Sequence, residues 1–198
     1  RAHNRRGAVD WQILRDWAPW IAAGSILGVI AASGLRSVVL QATFGVLGLA
    51  VGLYLAFGRE HWRLGTAMPG GARRGITGSV IGFLSVLMGI GGGSFGVPLM
   101  SLYAVPIHRA VATAAGFGVV IATPSVAGFL LLRIDSPPPW TLGAINLPAF
   151  ALVIAMTLIT TPWGVKLAHA MNPKPLKRLF AVFIMLMAAN MLRKALGY

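Results

Sequence analysis

Cysteine is absent from the 198 residues of this sequence, and acidic residues are scarce, with four Asp and Glu against 17 Lys and Arg. Without cysteine the chain has no disulfide framework, thiolate metal site or cysteine nucleophile. Charged residues make up only 11% of the chain, whereas 57% of its residues are hydrophobic. A net charge of +13 in a polar sequence would suggest a nucleic-acid partner, but here the charges separate long apolar runs. The composition therefore indicates a membrane protein in contact with the lipid bilayer and no nucleic-acid partner.

Carboxylates and imidazoles are missing from the predicted membrane interior. The acidic residues and histidines all fall near the ends of the apolar runs: Asp10, Asp16, Glu60, Asp135, His3, His61, His108 and His169. This placement argues against a proton relay, a histidine metal site, a carboxylate pair and a Ser-His-Asp triad at membrane depth. We expect no enzyme activity, catalytic residue, metal or cofactor. A peripheral pair, His108 and Arg109, is left open as an active site but is better interpreted as a helix start at the membrane interface.

Uncharged stretches predict where the chain crosses the membrane, because a crossing helix needs about 20 apolar residues. Residues 17–35, 37–58 and 110–132 each supply one crossing. A further run begins with three prolines, which we interpret as a rigid loop, so that residues 142–165 form the fourth. Residues 179–192 are a shorter candidate that needs its flanking basic side chains to reach the interfaces. Five full crossings are predicted.

The uncharged stretch at residues 75–108 is too long for one crossing and too short for two. Three consecutive glycines at 91–93, followed by Pro98, interrupt any regular helix. We therefore predict two half-length helices, at about 76–88 and 95–105, joined by a glycine tip.

The distribution of basic residues favours a hairpin that returns to its own side. With a returning hairpin, 13 Lys and Arg lie on one side and four on the other; with a crossing helix the split is 11 to 6. The favoured arrangement places residues 1–16, 59–75 and 166–178 in the cytoplasm. The predicted fold is an all-α polytopic membrane protein of the inner membrane, with about five full transmembrane helices plus a glycine-broken re-entrant helical hairpin at 76–105.

The hairpin tip, which we define as residues 91–95, is the predicted binding site. Irregular backbone at membrane depth is tolerated only where it packs on protein or lines a wet cavity. The start of the second half-helix would present unpaired N–H groups and the positive end of its dipole, which suits an anion. A Gly92→Leu substitution is accordingly predicted to abolish transport without preventing insertion. The candidate substrate-binding residues are Gly91, Gly92, Gly93, Ser94, Phe95 and Thr113.

Glycines of this sequence and Thr113 also have structural interpretations. Glycines four residues apart allow close packing of membrane helices, and we assign that role to three pairs: Gly24 with Gly28, Gly48 with Gly52, and Gly78 with Gly82. Gly89 and Gly93 share the spacing, but three adjacent glycines exceed what packing requires. Thr113 either reaches the tip or bonds its own helix backbone.

Residues 78–116, which include GIGGGSFGVPLM and PIHRAVAT, resemble the signature of the TauE/SafE sulfite exporter family. Residues 5–32 resemble the loop and helix that link the two halves of those proteins. The resemblance implies a transporter built from two repeats and associated with sulfite, sulfonates and other small organic anions. It also implies that, within a single transmembrane domain at 1–198, residues 1–75 hold the linking loop and the end of the first repeat. Residues 76–198 then form the second repeat.

Only one glycine-rich motif is present, so we expect the opening of the first repeat to precede Arg1 or a partner chain to replace it. The leading hypothesis is a secondary transporter of a small anion. The alternative is a non-transporting membrane subunit that packs on partner helices through its glycine faces. A passive channel would require polar side chains along a continuous pore, and no such line of residues is visible.

Overall fold

A computed structural model describes residues 9–57, 64–134, 137–170 and 173–197 of the chain. This part of the chain forms seven helices and one short β-hairpin. In chain order the elements are α1 (Trp11–Gly34), α2 (Ser37–Phe57), α3 (Gly71–Leu87), α4 (Gly93–Leu102), α5 (Ile107–Leu131), β1 (Thr141–Leu142), β2 (Ile145–Asn146), α6 (Leu147–Ala170) and α7 (Pro173–Ala195). The predicted all-helical membrane fold is confirmed. The assignment of residues 1–75 and 76–198 to two repeats stays a prediction.

Four of these helices, α1, α2, α5 and α6, are long and apolar enough to cross a membrane. They coincide with four of the predicted crossings. The fifth predicted crossing coincides with α7, a 23-residue helix with basic residues in its last turn. Because charged residues lie within both ends of α7, its apolar length is shorter than that of the other four, as the sequence indicated.

Large apolar side chains are exposed on these helices. On α6, every residue from 147 to 164 is exposed, including Leu158 with 71% of its surface accessible. Leu131 of α5 is 84% exposed. A soluble protein does not leave such continuous apolar surface in water, whereas a bilayer accommodates it at no cost. The surface of the molecule therefore supports the membrane assignment made from the sequence.

Close packing of α1 on α3 organises the buried core. A Cβ added to Gly28 of α1 would lie 2.9 Å from the Phe83 carbonyl oxygen of α3, and one added to Gly82 of α3 would lie 2.9 Å from the Ser25 nitrogen of α1. A Cβ at Gly78 would meet the Trp20 Cβ at 2.9 Å. The packing role predicted for these glycines is confirmed, because each allows the two backbones to approach more closely than any side chain permits.

The glycines of α2 pack against α7 in the same way. A Cβ added to Gly48 would lie 2.9 Å from the Ala188 Cβ, and one added to Gly52 would meet Met185. The third predicted glycine pair is thus also a packing surface. Its partner is the short-spanning helix α7, which gains a long interface with α2 and does not depend on its own apolar length alone.

The re-entrant hairpin is formed by α3 and α4. The backbone N–H of Leu64, which precedes α3, donates to the Leu102 carbonyl at the end of α4 at 2.8 Å. The chain therefore enters and leaves the hairpin on the same side, as the charge distribution predicts. The core residues Trp17, Ile21, Met100 and Phe117 are fully buried where α1, α4 and α5 meet, and they hold α4 in place.

Several helix boundaries differ from the sequence predictions, including those of α3, α4 and α6. Helix α3 begins at Gly71, because its first turn includes the charged Arg73 and Arg74 at the interface, which an uncharged-residue count leaves out. Helix α4 covers Gly93–Leu102, slightly earlier than predicted. The fourth crossing begins at Leu147, because residues 141–146 form the β1–β2 hairpin and the Asn146 side chain then accepts the Ala149 N–H at 3.0 Å as a helix cap.

Candidate functional site

The first half-helix of the hairpin, α3, ends in a Schellman motif. Gly89 adopts a left-handed conformation with φ of 62°, which glycine tolerates without strain. The Gly89 N–H donates to the Val86 carbonyl and the Ile90 N–H donates to the Ser85 carbonyl, both at 3.0 Å. These bonds satisfy two of the last carbonyls of α3. The helix therefore ends at Leu87 with these carbonyls satisfied, and the chain is free to turn into α4.

The second half-helix, α4, begins without a capping side chain. The Ser94 N–H makes a long bond of 3.4 Å to the Gly91 carbonyl. Among the described residues, the N–H groups of Gly91, Gly92, Gly93 and Phe95 donate no hydrogen bond. Four backbone donors thus lie together with the positive end of the α4 dipole, the combination that binds anions at helix N-termini.

The three consecutive glycines have different surroundings. A Cβ added to Gly91 or to Gly93 would have no atom of a neighbouring described residue within 4 Å. A Cβ added to Gly92 would lie 2.6 Å from the Phe117 Cβ and 2.8 Å from the Gly118 nitrogen of α5. Gly92 therefore packs the tip on α5, and a Gly92→Leu variant would disturb that packing as well as any ligand. Gly91 and Gly93 border open space and provide the cleaner test.

Ser94 and Phe95 differ in burial and in the hydrogen-bond donors that they contribute to the tip. Ser94 is buried with 7% of its surface accessible, and its hydroxyl makes no hydrogen bond within the described part of the chain. The Phe95 side chain lines an apolar groove of about 230 Å³ between α4 and α2, together with Leu47 and Val51. At the tip, Ser94 contributes a free hydroxyl and Phe95 a free amide.

Thr113 has a partner that the sequence did not suggest. Its side chain is fully buried, and its hydroxyl oxygen accepts the backbone N–H of Asp10 at 2.9 Å. It thereby ties α5 to the start of α1, where the Asp10 carboxylate caps the helix by accepting the Ile13 N–H at 3.1 Å. The α5 residues that contact Gly92 are Phe117 and Gly118, one turn further along. A substrate-binding role for Thr113 stays a prediction.

Sequence reasoning missed two residues near the tip. Phe117 lies between two glycines in the middle of α5, and this GFG pattern within an apolar run was the available signal. Ser85 lies in the last turns of α3, and its hydroxyl is buried without a hydrogen-bond partner among the described residues. A lone serine within an apolar helix carries no sequence signal that separates a packing residue from a ligand.

Long apolar helices, an exposed apolar surface and a glycine-broken hairpin define a polytopic membrane protein of the kind that builds transport sites from discontinuous helices. The sequence model of the sulfite exporter TauE/SafE family matches residues 1–191. The chain belongs to the TauE/SafE family, and the resemblance in the hairpin and linking region is thereby confirmed.

Two relatives carry matching names. A probable membrane transporter protein of Haemophilus influenzae is 27% identical over 196 residues, which cover 97% of this chain and 74% of the relative. A probable membrane transporter protein of Methanocaldococcus jannaschii is 27% identical over 168 residues, which cover 83% of this chain and 61% of the relative. No solved structure matches the chain. Family and relatives together indicate a membrane transporter.

Proposed function

We propose that this chain forms part of a secondary transporter that moves a small anion, such as sulfite or a sulfonate, across the inner membrane. The observation that supports the proposal best is the cluster of free backbone donors at the start of α4. Because these donors are neutral amides and a helix dipole, they favour an anion without holding it as tightly as a fixed ion pair would. Transport requires such moderate binding, since the solute must also leave.

The surroundings of the tip support an anion over a cation. The described carboxylates are Asp10, the cap of α1, and Asp16 in its second turn. They line a cavity together with Tyr103 and Ala104, which follow α4, whereas the tip precedes α4. Within the described part of the chain, no neighbouring atom lies within 4 Å of a Cβ built on Gly91 or Gly93, so a solute can approach the backbone directly. The site would accept a compact oxyanion whose oxygens each take one or two N–H donors.

The alternative of a non-transporting subunit rests on glycine faces left open for partner helices. In this structure those faces are used within the chain, Gly24 and Gly28 against α3 and Gly48 and Gly52 against α7. The proposal of a transporter therefore leaves fewer features unexplained.

The test is uptake into proteoliposomes that contain the full-length protein. Labelled sulfite, taurine, sulfoacetate and sulfate are compared for the wild type and for Gly93→Leu, whose side chain would occupy the space at the tip. Gly164→Leu on α6 is the matched control, because a Cβ at Gly164 also has no atom within 4 Å among the residues that the structure describes. We expect wild type and Gly164→Leu to transport a sulfur oxyanion and Gly93→Leu to lose transport. Equal transport by all three proteins would refute the proposed site.

A further inference from the structure

A polar cavity lies at the end of the molecule where α1, α3 and α5 begin and α4 ends. Its volume is about 480 Å³, and it is lined by charged, aromatic and backbone groups that include Asp10, Asp16, Trp17, Arg74, Tyr103 and Arg109. We call this cavity the vestibule. Helix α4 has 10 residues, or about 15 Å at 1.5 Å per residue, so the vestibule is roughly half a hydrocarbon thickness away from the hairpin tip.

Two arginines of the vestibule are paired with aspartates of α1. Arg74 Nη1 of α3 contacts Asp16 Oδ2, and Arg109 Nη1 of α5 lies 3.8 Å from Asp10 Oδ2. The second pair is loose, because that distance exceeds a hydrogen bond. Asp10 is also engaged elsewhere, since its other carboxylate oxygen caps α1 through the Ile13 N–H.

Both guanidinium groups have unused hydrogen-bonding capacity. A guanidinium carries five N–H donors, and the Arg74–Asp16 contact uses only Nη1 of Arg74. Arg74 Nε is buried and has no partner among the described residues, which is costly for a charged donor. Arg109 makes no contact within hydrogen-bonding distance in this part of the chain. Donors of this fork geometry bind carboxylate, sulfonate and phosphate oxygens in pairs.

We propose that the vestibule is a second oxyanion site, in which Arg74 and Arg109 bind a small free sulfonate or carboxylate before or after its passage along α4 to the tip. While the site is empty, Asp16 contacts Arg74 and Asp10 lies 3.8 Å from Arg109. An arriving anion replaces Asp16 on Arg74. The nature of the anion rests on the proposed transport function. The site itself rests on the cavity, the loose ion pair and the unpartnered Arg74 Nε.

Substitutions of Arg74 and of Asp16 are expected to change the affinity for the anion in opposite directions. Arg74→Gln removes the ligand and should weaken anion binding at least about tenfold, the usual effect of losing a charge-assisted pair of bonds. Asp16→Asn removes the competing carboxylate and should tighten binding by about threefold, the scale of a half-exposed ion pair. If the Arg74–Asp16 ion pair only stabilised the structure, both substitutions would weaken anion binding. Arg73→Gln is the matched control, because Arg73 is exposed and does not line the vestibule.

Equilibrium binding of labelled sulfite and sulfoacetate is measured on the full chain in phosphatidylcholine nanodiscs. The measurements use the Gly93→Leu background, in which binding at the tip is blocked. Retained binding that weakens with Arg74→Gln and tightens with Asp16→Asn supports the vestibule site even if no transport is found. If Arg74→Gln does not fold, Asp16→Asn alone decides: tighter anion binding supports the vestibule site, and weaker binding indicates a purely structural ion pair.

Three results would overturn the proposal. The first is that the Gly93→Leu protein without further substitution binds neither anion. The second is that Arg73→Gln weakens anion binding as much as Arg74→Gln does. The third concerns lipid phosphate, which shares the chemistry of a free oxyanion. If phosphatidylglycerol in the nanodiscs abolishes binding of the free anions competitively, and does so only while Arg74 is present, the vestibule is a lipid headgroup site instead.

Discussion

The adjacent residues Gly92 and Gly93 should respond in opposite ways to the same substitution. Gly92 has a right-handed helical backbone, with φ of −54° and ψ of −12°, so alanine is compatible with its conformation. Its added Cβ, however, would lie 2.6 Å from the Phe117 Cβ. An alanine at Gly93, the first residue of α4, would have no atom of another described segment within 4 Å of its Cβ. Most of the difference in stability between the two variants therefore comes from the contact of position 92 with α5.

The magnitude follows from the overlap at Gly92. An ordinary carbon contact needs roughly 3.5–4.0 Å, so the tip and α5 must separate by about 1 Å to admit the methyl group. Overpacking of this kind costs about 1–3 kcal/mol. Gly93→Ala gains a few tenths to about 1 kcal/mol from helix propensity and reduced backbone entropy. We expect the two variants to differ by about 2 kcal/mol, or about 4–8 °C in Tm for a chain of this size.

Thermal unfolding of the detergent-solubilised protein, followed by tryptophan fluorescence, measures this difference. Gly92→Ala should melt below the wild type and Gly93→Ala at or above it. Equal melting temperatures, or a lower one for Gly93→Ala, would show that the tip does not pack on α5 through Gly92. Uptake assays add a second comparison, because Gly93→Leu should lose transport while the melting temperature stays close to that of Gly93→Ala.

The remaining predictions concern helix packing, the α1 cap and topology. Gly82→Ala should reduce the folded fraction of solubilised protein sharply, at a cost of about 3 kcal/mol, because its Cβ would meet the α1 backbone; Gly34→Ala, in open space, should not. Thr113→Val leaves the α1 cap residue without a partner for its N–H and should lower stability by about 1–3 kcal/mol, measured by thermal unfolding. In the cysteine-free chain, Ala72→Cys should react with impermeant thiol reagents only from the cytoplasm and Leu35→Cys only from outside.

The Thr113 experiment has a matched control variant. Thr113→Ser keeps the acceptor oxygen and should retain most of the stability that Thr113→Val loses. If it does not, the hydroxyl bond to Asp10 is not the cause. Labelling of the cysteines at positions 72 and 35 from the same side of the membrane would contradict the predicted topology, since α2 is the crossing that separates them.

Much of the hairpin could be predicted from local sequence. The position of the break follows from glycine and proline chemistry, which acts within a few residues. The return of α4 to its starting side followed from the distribution of basic residues and is seen in the Leu64–Leu102 hydrogen bond. The exact helix starts did not follow, because α3 begins among charged interface residues and α6 begins after a short β-hairpin that carries no apolar pattern of its own.

The candidate site shows where local reasoning stops. Gly91, Gly92 and Gly93 are identical in type and adjacent, so no pattern distinguishes them, yet one packs on Phe117 and the others border open space. Thr113 bonds Asp10 across 103 residues of sequence. The vestibule arginines were counted for topology, and nothing in their spacing indicated that one guanidinium nitrogen is buried without a partner.

By itself, the sequence determined the membrane environment, the broken hairpin and four of its five predicted crossings, which are long apolar helices in the described part of the chain. It could do so because hydropathy, charge and backbone preference act residue by residue. Only the tertiary structure decided which backbone donors stay free and at which glycines a neighbouring helix occupies the space of the missing side chain. It also determined which charges meet in a cavity. Those properties depend on contacts between segments far apart in the chain, and the physics of helix packing sets them after the helices themselves have formed.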